Sequence, residues 1–403
     1  MKQKKNKGRK IYKTKEKNYY GKSFGQKLFS VCLTVLLIGG MGFLGYSTAE
    51  PLLDFTRKKG DEPEIQEETT VLQDSEENQE SSTETTEENT DSPVINQGNP
   101  RMTAVLSVTD IIDTNTLQNA LKRIPESAEI EYVALPLKVK GGNVCYNTSC
   151  SDAVDSGAIV SRIELDDAVK IIKEAGFRPS AIISTFADNI LPLSISESGY
   201  KNAEQGKLWL DNPDELIGKP CTTPFSDNAV SYNGFFVREA SMAGFETIIC
   251  SDFTFPEFTQ KELSVMDQRL LNEHERSSVL AKTAESYREK AEYNNADFYI
   301  EVSASDILKE RADILNPDTL KVKNIIVNID TDEIKNGVDD GKTVYEFSGT
   351  PSDIAEKMLG LICGSLGDYS VTIRISGENA DFSELLKAKN KIAESGYNSF
   401  LIG

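Results

Sequence analysis

Residues Gly244–Pro256 read GFETIICSDFTFP, and this stretch decides the fold. A glycine closes a helix, a short apolar run forms a buried strand, and Ser251, Asp252 and Thr254 arrive at its carboxyl end before Phe255 and Pro256 stop it. Barrel enzymes build their sites from polar residues at such strand ends. The unit repeats. Apolar runs at Thr103–Thr109, Ile130–Lys138, Ser180–Phe186, Thr247–Phe253, Phe298–Ser303, Asn324–Asp330, Ser370–Ser376 and Asn398–Ile402 make eight expected strands. Segments of helical periodicity lie between them, as in ELDDAVKIIKEAG, where Leu165, Ala168, Val169 and Ile172 share one face. Gly176-Phe177, Gly244-Phe245 and Gly396-Tyr397 each put a glycine where a helix stops and an aromatic where a strand begins. The expectation for residues 101–403 is an α/β fold, a TIM-like (β/α)8 barrel. An open doubly wound sheet is the competing architecture, but no glycine-rich phosphate loop follows the first strand.

Outward from the barrel, the chain changes character twice. Residues 28–46, LFSVCLTVLLIGGMGFLGY, carry no charge and match the length of a bilayer-crossing helix. The segment 1–27 before them holds eleven Lys/Arg and one acid, so the flank is expected to stay cytoplasmic and the barrel to lie outside the cell, on a single-pass anchor spanning 28–47. The competing reading is secretion after cleavage near Ser47-Thr48-Ala49. Residues 48–100, containing EIQEETTVLQDSEENQESSTETTEENTDS, are too polar and acidic to bury a core and are expected to form a disordered linker. Beyond residue 27 the chain has 33 basic and 63 acidic residues, which argues against nucleic acid as a partner. The chain's one histidine, His274, and its cysteine spacings complete neither a zinc site nor a nucleophilic triad, so neither metal nor cofactor is expected. Cys145 and Cys150 lie close enough to close a small loop, and sequence alone leaves their pairing open.

These residues carry a resemblance. GFETIICSDFTFP resembles GFDEIQFDYIRFP, a hallmark of a family of bacterial glycoside-hydrolase-like proteins of (β/α)8 fold. YVALPLKVKGGNVCY is similar to the family's second-strand motif VVIDVKDDxGxVxY, and GFRPSAIISTFAD to its third, GIYVIARIVVFKD. Phe225–Ala240 is similar to its helix pattern DPYNxEVxxYxxxIAKEA. The likeness covers about residues 101–258 by motif and the last four strands by architecture alone. It implies a barrel that acts on or binds carbohydrate. Departures fall on the polar positions: Pro136, Ile182, Ser251, Asp252 and Thr254 stand where the family has Asp, Arg, Asp, Tyr and Arg. Lys138, Phe186, Asp188, Gly244, Phe245, Phe255 and Pro256 are kept.

Glycoside hydrolysis needs two carboxyl groups facing one another across the sugar. The strand ends offer Asp252, Glu301 and Asp330 as candidate catalytic acids, with Asp332 just beyond. Because side chains alternate, an acid moved from 251 to 252 turns to the opposite face unless the backbone re-aims it. Glu301 and Arg374 would line the top of the barrel, or else face outward or pair structurally. Lys138, Lys140, Asp188 and Arg374 could bind polar groups of a ligand, and Tyr200, Trp209, Phe225 and Phe255 could supply a flat surface for sugar rings. The leading expectation is a membrane-anchored, extracellular, catalytically degenerate barrel that binds carbohydrate, such as a cell-wall glycan. The alternative is an active glycosidase with a relocated carboxylate pair.

Overall fold

The computed structural model describes residues 101–403 apart from 213–217, 317 and 378–379. The expected basic tail, membrane span and acidic linker lie outside the described residues. Eight parallel strands close a barrel: β1 (Arg101–Val105), β2 (Tyr132–Lys138), β3 (Arg178–Ser184), β4 (Thr247–Ser251), β5 (Asp297–Ser303), β6 (Asn324–Asp330), β7 (Ser370–Ser376) and β8 (Ser399–Ile402). The chain visits them in order, and β8 returns to pair with β1.

The crossovers are helical: α1 (Thr114–Leu121), α2 (Leu165–Glu174), α3 (Asp227–Met242), α4 (Glu273–Glu292), α5 (Ala304–Leu308), α6 (Thr331–Ile334), α7 (Pro351–Ile362) and α8 (Phe382–Ala393). Their starts are set by side chains that accept the first free amides, among them Asp113, Ser226, Asn272, Ser303, Asp330, Thr350 and Asp381. After α2, α3 and α8 the chain turns at Gly176, Gly244 and Gly396, with φ of 88°, 92° and 96°. Only glycine takes that left-handed geometry without strain.

Six strands differ from their expected bounds by one to four residues at an end, and two of the shifts have a local cause. β1 begins and ends earlier than the run Thr103–Thr109, because the Ser107 amide and hydroxyl both donate to Asp110 Oδ2, at 3.0 and 2.7 Å, and start a 3-10 turn. β4 stops at Ser251 rather than Phe253, because Asp252 swings to φ 51°. Cys145 and Cys150 are both free, buried thiols, which settles the pairing that spacing left open.

Alternation fills the barrel in layers. Ala134, Ile182, Ile249, Ile326 and Leu401 form the central plug, with Val105 and Tyr299 packed against it. Below, at the amino ends of the strands, Arg101 closes the floor. Its guanidinium donates to Thr247 Oγ1 at 2.9 Å, pairs with Asp297 at 3.1 Å and lies 4.2 Å from the Tyr132 ring centre. Above, the same parity points Pro136, Ser184, Ser251, Glu301, Asn328 and Arg374 towards the carboxyl ends, where they meet solvent-accessible space.

Candidate functional site

The space above the plug is a cavity of about 840 Å³ that opens at the carboxyl ends of the strands. Its volume falls within the range that takes a small ligand. Its wall is polar. Asp252, Glu301, Asp306, Asp330 and Glu333 line it together with Lys140, Lys309, Arg311 and Arg374.

Glu301, 8% exposed, faces inward from β5, and both its oxygens take the Arg374 guanidinium, at 3.0 and 2.8 Å. Both bonds come from Nη1, while Nε and Nη2 donate to the Gly403 carbonyl, and the pair reaches over β6, which runs between β5 and β7. It ties the carboxylate to a cation of the protein itself. Asp330 lines the cavity from the end of β6, but its Oδ1 accepts the amides of Asp332 and Glu333 and starts α6. Two of the three candidate catalytic acids, Glu301 and Asp330, are therefore already engaged by the protein's own groups. Asp332 pairs with Lys335 on the same turn.

Asp252 follows a different rule from the strand that delivers it. Continued extension would turn it away from the Ser251 side; the left-handed backbone at φ 51° brings it back to the cavity. There its Oδ2 accepts from the Ser184 hydroxyl at 2.6 Å and the Ser251 hydroxyl at 3.3 Å. No ion pair holds Asp252 among the described residues.

Lys138 is not a rim residue. Pro136 has no amide to give the sheet, and the β2–β3 register slips between Pro136 and Lys138. The slip sets Lys138 beside Ile183, so its side chain leaves the inward row and runs beneath α3, 5.7 Å from the Tyr232 ring centre. Fully buried, its ammonium lies 2.9 Å from Asp188 and donates to the Ser184 carbonyl at 2.8 Å. Burial alone would push the Asp188 carboxyl up; the Lys138 charge and the Leu191 and Ile190 amides outweigh it and hold it below its ordinary value. At Gly142, φ 98°, a Cβ would stand 2.2 Å from Asp188 Oδ1, so the loop must carry glycine there. Two of the expected ligand-binding residues, Lys138 and Asp188, thus form one buried ion pair.

The aromatic candidates divide. Phe255 lines the cavity and packs 5.6 Å from Phe225. Trp209 lies elsewhere: its ring meets Phe258 at 4.9 Å and Tyr200 at 6.1 Å, both edge-on, and its Nε1 donates to Glu262 at 2.7 Å. That cluster anchors a loop excursion, and Trp209 offers no face to the cavity.

Sequence reasoning passed over Asp306. It sits in the first turn of α5, immediately after β5, in a stretch that reads as an ordinary helix start. The fold surrounds it with residues from distant parts of the chain. Burial pushes its carboxyl up to about 6, the nearby Glu333 carboxylate adds to the rise, Lys309 and Lys140 oppose it, and Asp252 adds a little more. Glu333 in turn accepts from the Ser305 hydroxyl at 2.8 Å. Also unforeseen is a rim cluster in which Glu257 pairs with both Lys309 and Arg311.

No protein-family model matches the chain, and no curated protein is recognisably similar to it. Among solved structures, a hypothetical protein from Ruminiclostridium thermocellum aligns over 49% of this chain and 96% of its own, with 18% identity and a TM-score of 0.41. The glycoside hydrolase domain of PgaB (BpsB) from Bordetella bronchiseptica aligns over 75% of this chain and 93% of its own, with 12% identity and a TM-score of 0.46. The α-galactosidase TtGalA from Thermus thermophilus, in complex with stachyose, aligns over 77% and 62%, with 12% identity and a TM-score of 0.46. These are likenesses of backbone architecture; the chemistry of the mouth rests on this chain's own residues.

Proposed function

We propose that this chain is a cell-surface carbohydrate-binding protein: a glycoside-hydrolase-like barrel, held outside the membrane by residues 28–46 and an acidic linker, that takes a glycan into its mouth. The observation that carries this reading is the open cavity of about 840 Å³, walled by carboxylates, cations and two aromatics, Phe253 and Phe255. Sugars are bound by such mixtures, because their hydroxyls both donate and accept while their ring faces are apolar. The resemblance's catalytic positions are not the ones in use. Ser251 replaces the strand-four acid, and Pro136 and Ile182 remove the polar groups of strands two and three. Glu301 and Asp330, nominated as substitutes, serve an ion pair and a helix start.

The test is binding of purified envelope polysaccharides to the full chain in detergent, read by calorimetry. Lys140 is exposed and lines the cavity without holding the fold, so Lys140→Ala is expected to weaken binding about tenfold, the worth of one hydrogen bond to a charged group. Unchanged affinity in Lys140→Ala and in Arg311→Ala would place the binding surface elsewhere.

A further inference from the structure

We propose that the mouth is a pH-sensitive receptor: it holds an uncharged glycan in mild acid and lets it go towards alkaline pH, with the Asp306 carboxyl as the switch. This concerns the regulation of the mouth and rests on the carbohydrate-binding reading. Three carboxyl groups meet in the cavity wall from successive strand ends. Asp252 follows β4, Asp306 lies in the first turn of α5 after β5, and Glu333 lies in the first turn of α6 after β6. The strands are neighbours, β5 pairing with β4 through Ile300 and Cys250 and with β6 through Ser303 and Asn328. The Ser305 hydroxyl donates to Glu333 at 2.8 Å and fixes that carboxylate against the start of α5. Asp252 is held by the Ser184 and Ser251 hydroxyls. Asp306 has no such tether: among the described residues no hydrogen bond or ion pair engages its carboxyl.

The charges around Asp306 do not neutralise it. Lys309 on its own segment and Lys140 from the loop after β2 oppose Glu333 and Asp252, but Lys309 is shared with Glu257 at 3.4 Å and Lys140 is exposed. The other charges of the wall are engaged: Glu301 with Arg374, Arg311 with Glu257, and Asp330 with the amides that start α6. On α6 itself, Asp332 pairs with Lys335. α7 packs against α5, and its three charged residues also have partners, Asp353 at Thr350, Glu356 at Lys391 and Lys357 at the Glu346 carbonyl. Burial and the two facing carboxylates therefore hold the Asp306 carboxyl up at about 6, where a modest change of surroundings changes its charge near neutrality.

A sugar entering the well is such a change. It displaces water that solvates the carboxylates, which penalises the ionised form of Asp306 further. The neutral acid both donates and accepts, as a sugar hydroxyl does, and pairs with it without stranding a charge. Binding therefore takes up a proton from solvent wherever the free mouth is ionised at Asp306 and the occupied mouth is not. By linkage, affinity is complete below the free value, falls as pH rises through about 6, and levels off once Asp306 is ionised in both states.

The experiment titrates the full chain in detergent with purified envelope polysaccharides in a calorimeter, at pH values on either side of about 6 and in pairs of buffers that differ in ionisation enthalpy. The wild type is expected to bind about tenfold more weakly on the alkaline side, the equivalent of one unit of differential interaction, and to take up protons as it binds. Asp306→Asn, neutral at every pH and of similar shape, is expected to keep the acid-side affinity throughout with no proton uptake. Glu333→Gln removes the stronger of the two repelling charges and is expected to move the fall in affinity to lower pH. Affinity that ignores pH, a fall that survives in Asp306→Asn, or affinity that rises with pH, as a cationic ligand would show, would each overturn the switch and leave the binding reading intact. Loss of binding at every pH in Asp306→Asn would do the same, because it would make the residue a fixed contact. Binding of no polysaccharide at any pH would remove the carbohydrate reading, and the switch with it.

Discussion

Replacing Lys138 with methionine is expected to destabilise the barrel by about 3–5 kcal/mol, the usual consequence of leaving one member of a buried ion pair without the other. Lys138 and Asp188 are both 0% exposed, and the ammonium lies 2.9 Å from the carboxylate. Methionine fills most of the lysine volume, so a cavity contributes little and the loss reports the stranded charge. The double variant Lys138→Met/Asp188→Asn separates the two. Asparagine keeps an oxygen for the Ile190 and Leu191 amides, which Asp188 Oδ1 now accepts at 2.8 and 3.0 Å, and carries no charge to strand. It is expected to recover more than half of the loss. Urea midpoints at constant slope measure both variants. A single-variant loss below about 1 kcal/mol would mean that the pair contributes no structural stability.

The second large effect has the opposite sign. Asp306→Asn is expected to stabilise the protein above pH 6 by up to about 3 kcal/mol, from a rise of about two units at 1.36 kcal/mol per unit. The folded carboxyl, raised from 3.8 to about 6, binds its proton more tightly than the unfolded one. Stability contributed by that proton is therefore complete below pH 4 and is lost as pH climbs through 6. Asparagine removes the dependence: the variant and wild type should be equally stable near pH 4 and diverge by pH 7.5. Denaturation at those two pH values measures it, and an equal difference at both would show that the effect is packing rather than charge.

The barrel was legible because its signals are local. Alternating apolar runs such as NIIVNID and FYIEVS carry their own period, and glycine-aromatic joints mark where helices hand over to strands. The direction of Glu301 and Arg374 stayed open in the sequence, because alternation alone does not say which row of a strand faces the barrel axis. What escaped depends on single residues whose effect is not local. Pro136 shifts a register and turns Lys138 into a buried ion pair with Asp188, and no pattern around it announces the slip. Asp252 reaches the cavity by a left-handed backbone that an aspartate adopts only with support from its surroundings. The SASDIL segment looks like any helix start. Asp306 becomes unusual only when Lys140, Asp252 and Glu333, remote in sequence, close around it.

The sealed floor has a consequence for what the mouth can hold. Arg101, stacked on Tyr132 and tied to Thr247 and Asp297, stops the lower end, and the apolar plug stands directly above it. The barrel is a blind well rather than a tunnel. A linear polymer cannot thread it; it either dips one end into the well or lies across the rim, where Phe255, Glu257, Lys309 and Arg311 belong both to the main cavity and to a neighbouring hollow of about 390 Å³. Whatever enters leaves by the same opening. The rim cluster of Glu257, Lys309 and Arg311 therefore stands between the well and the hollow beside it, where a chain lying across both would cross.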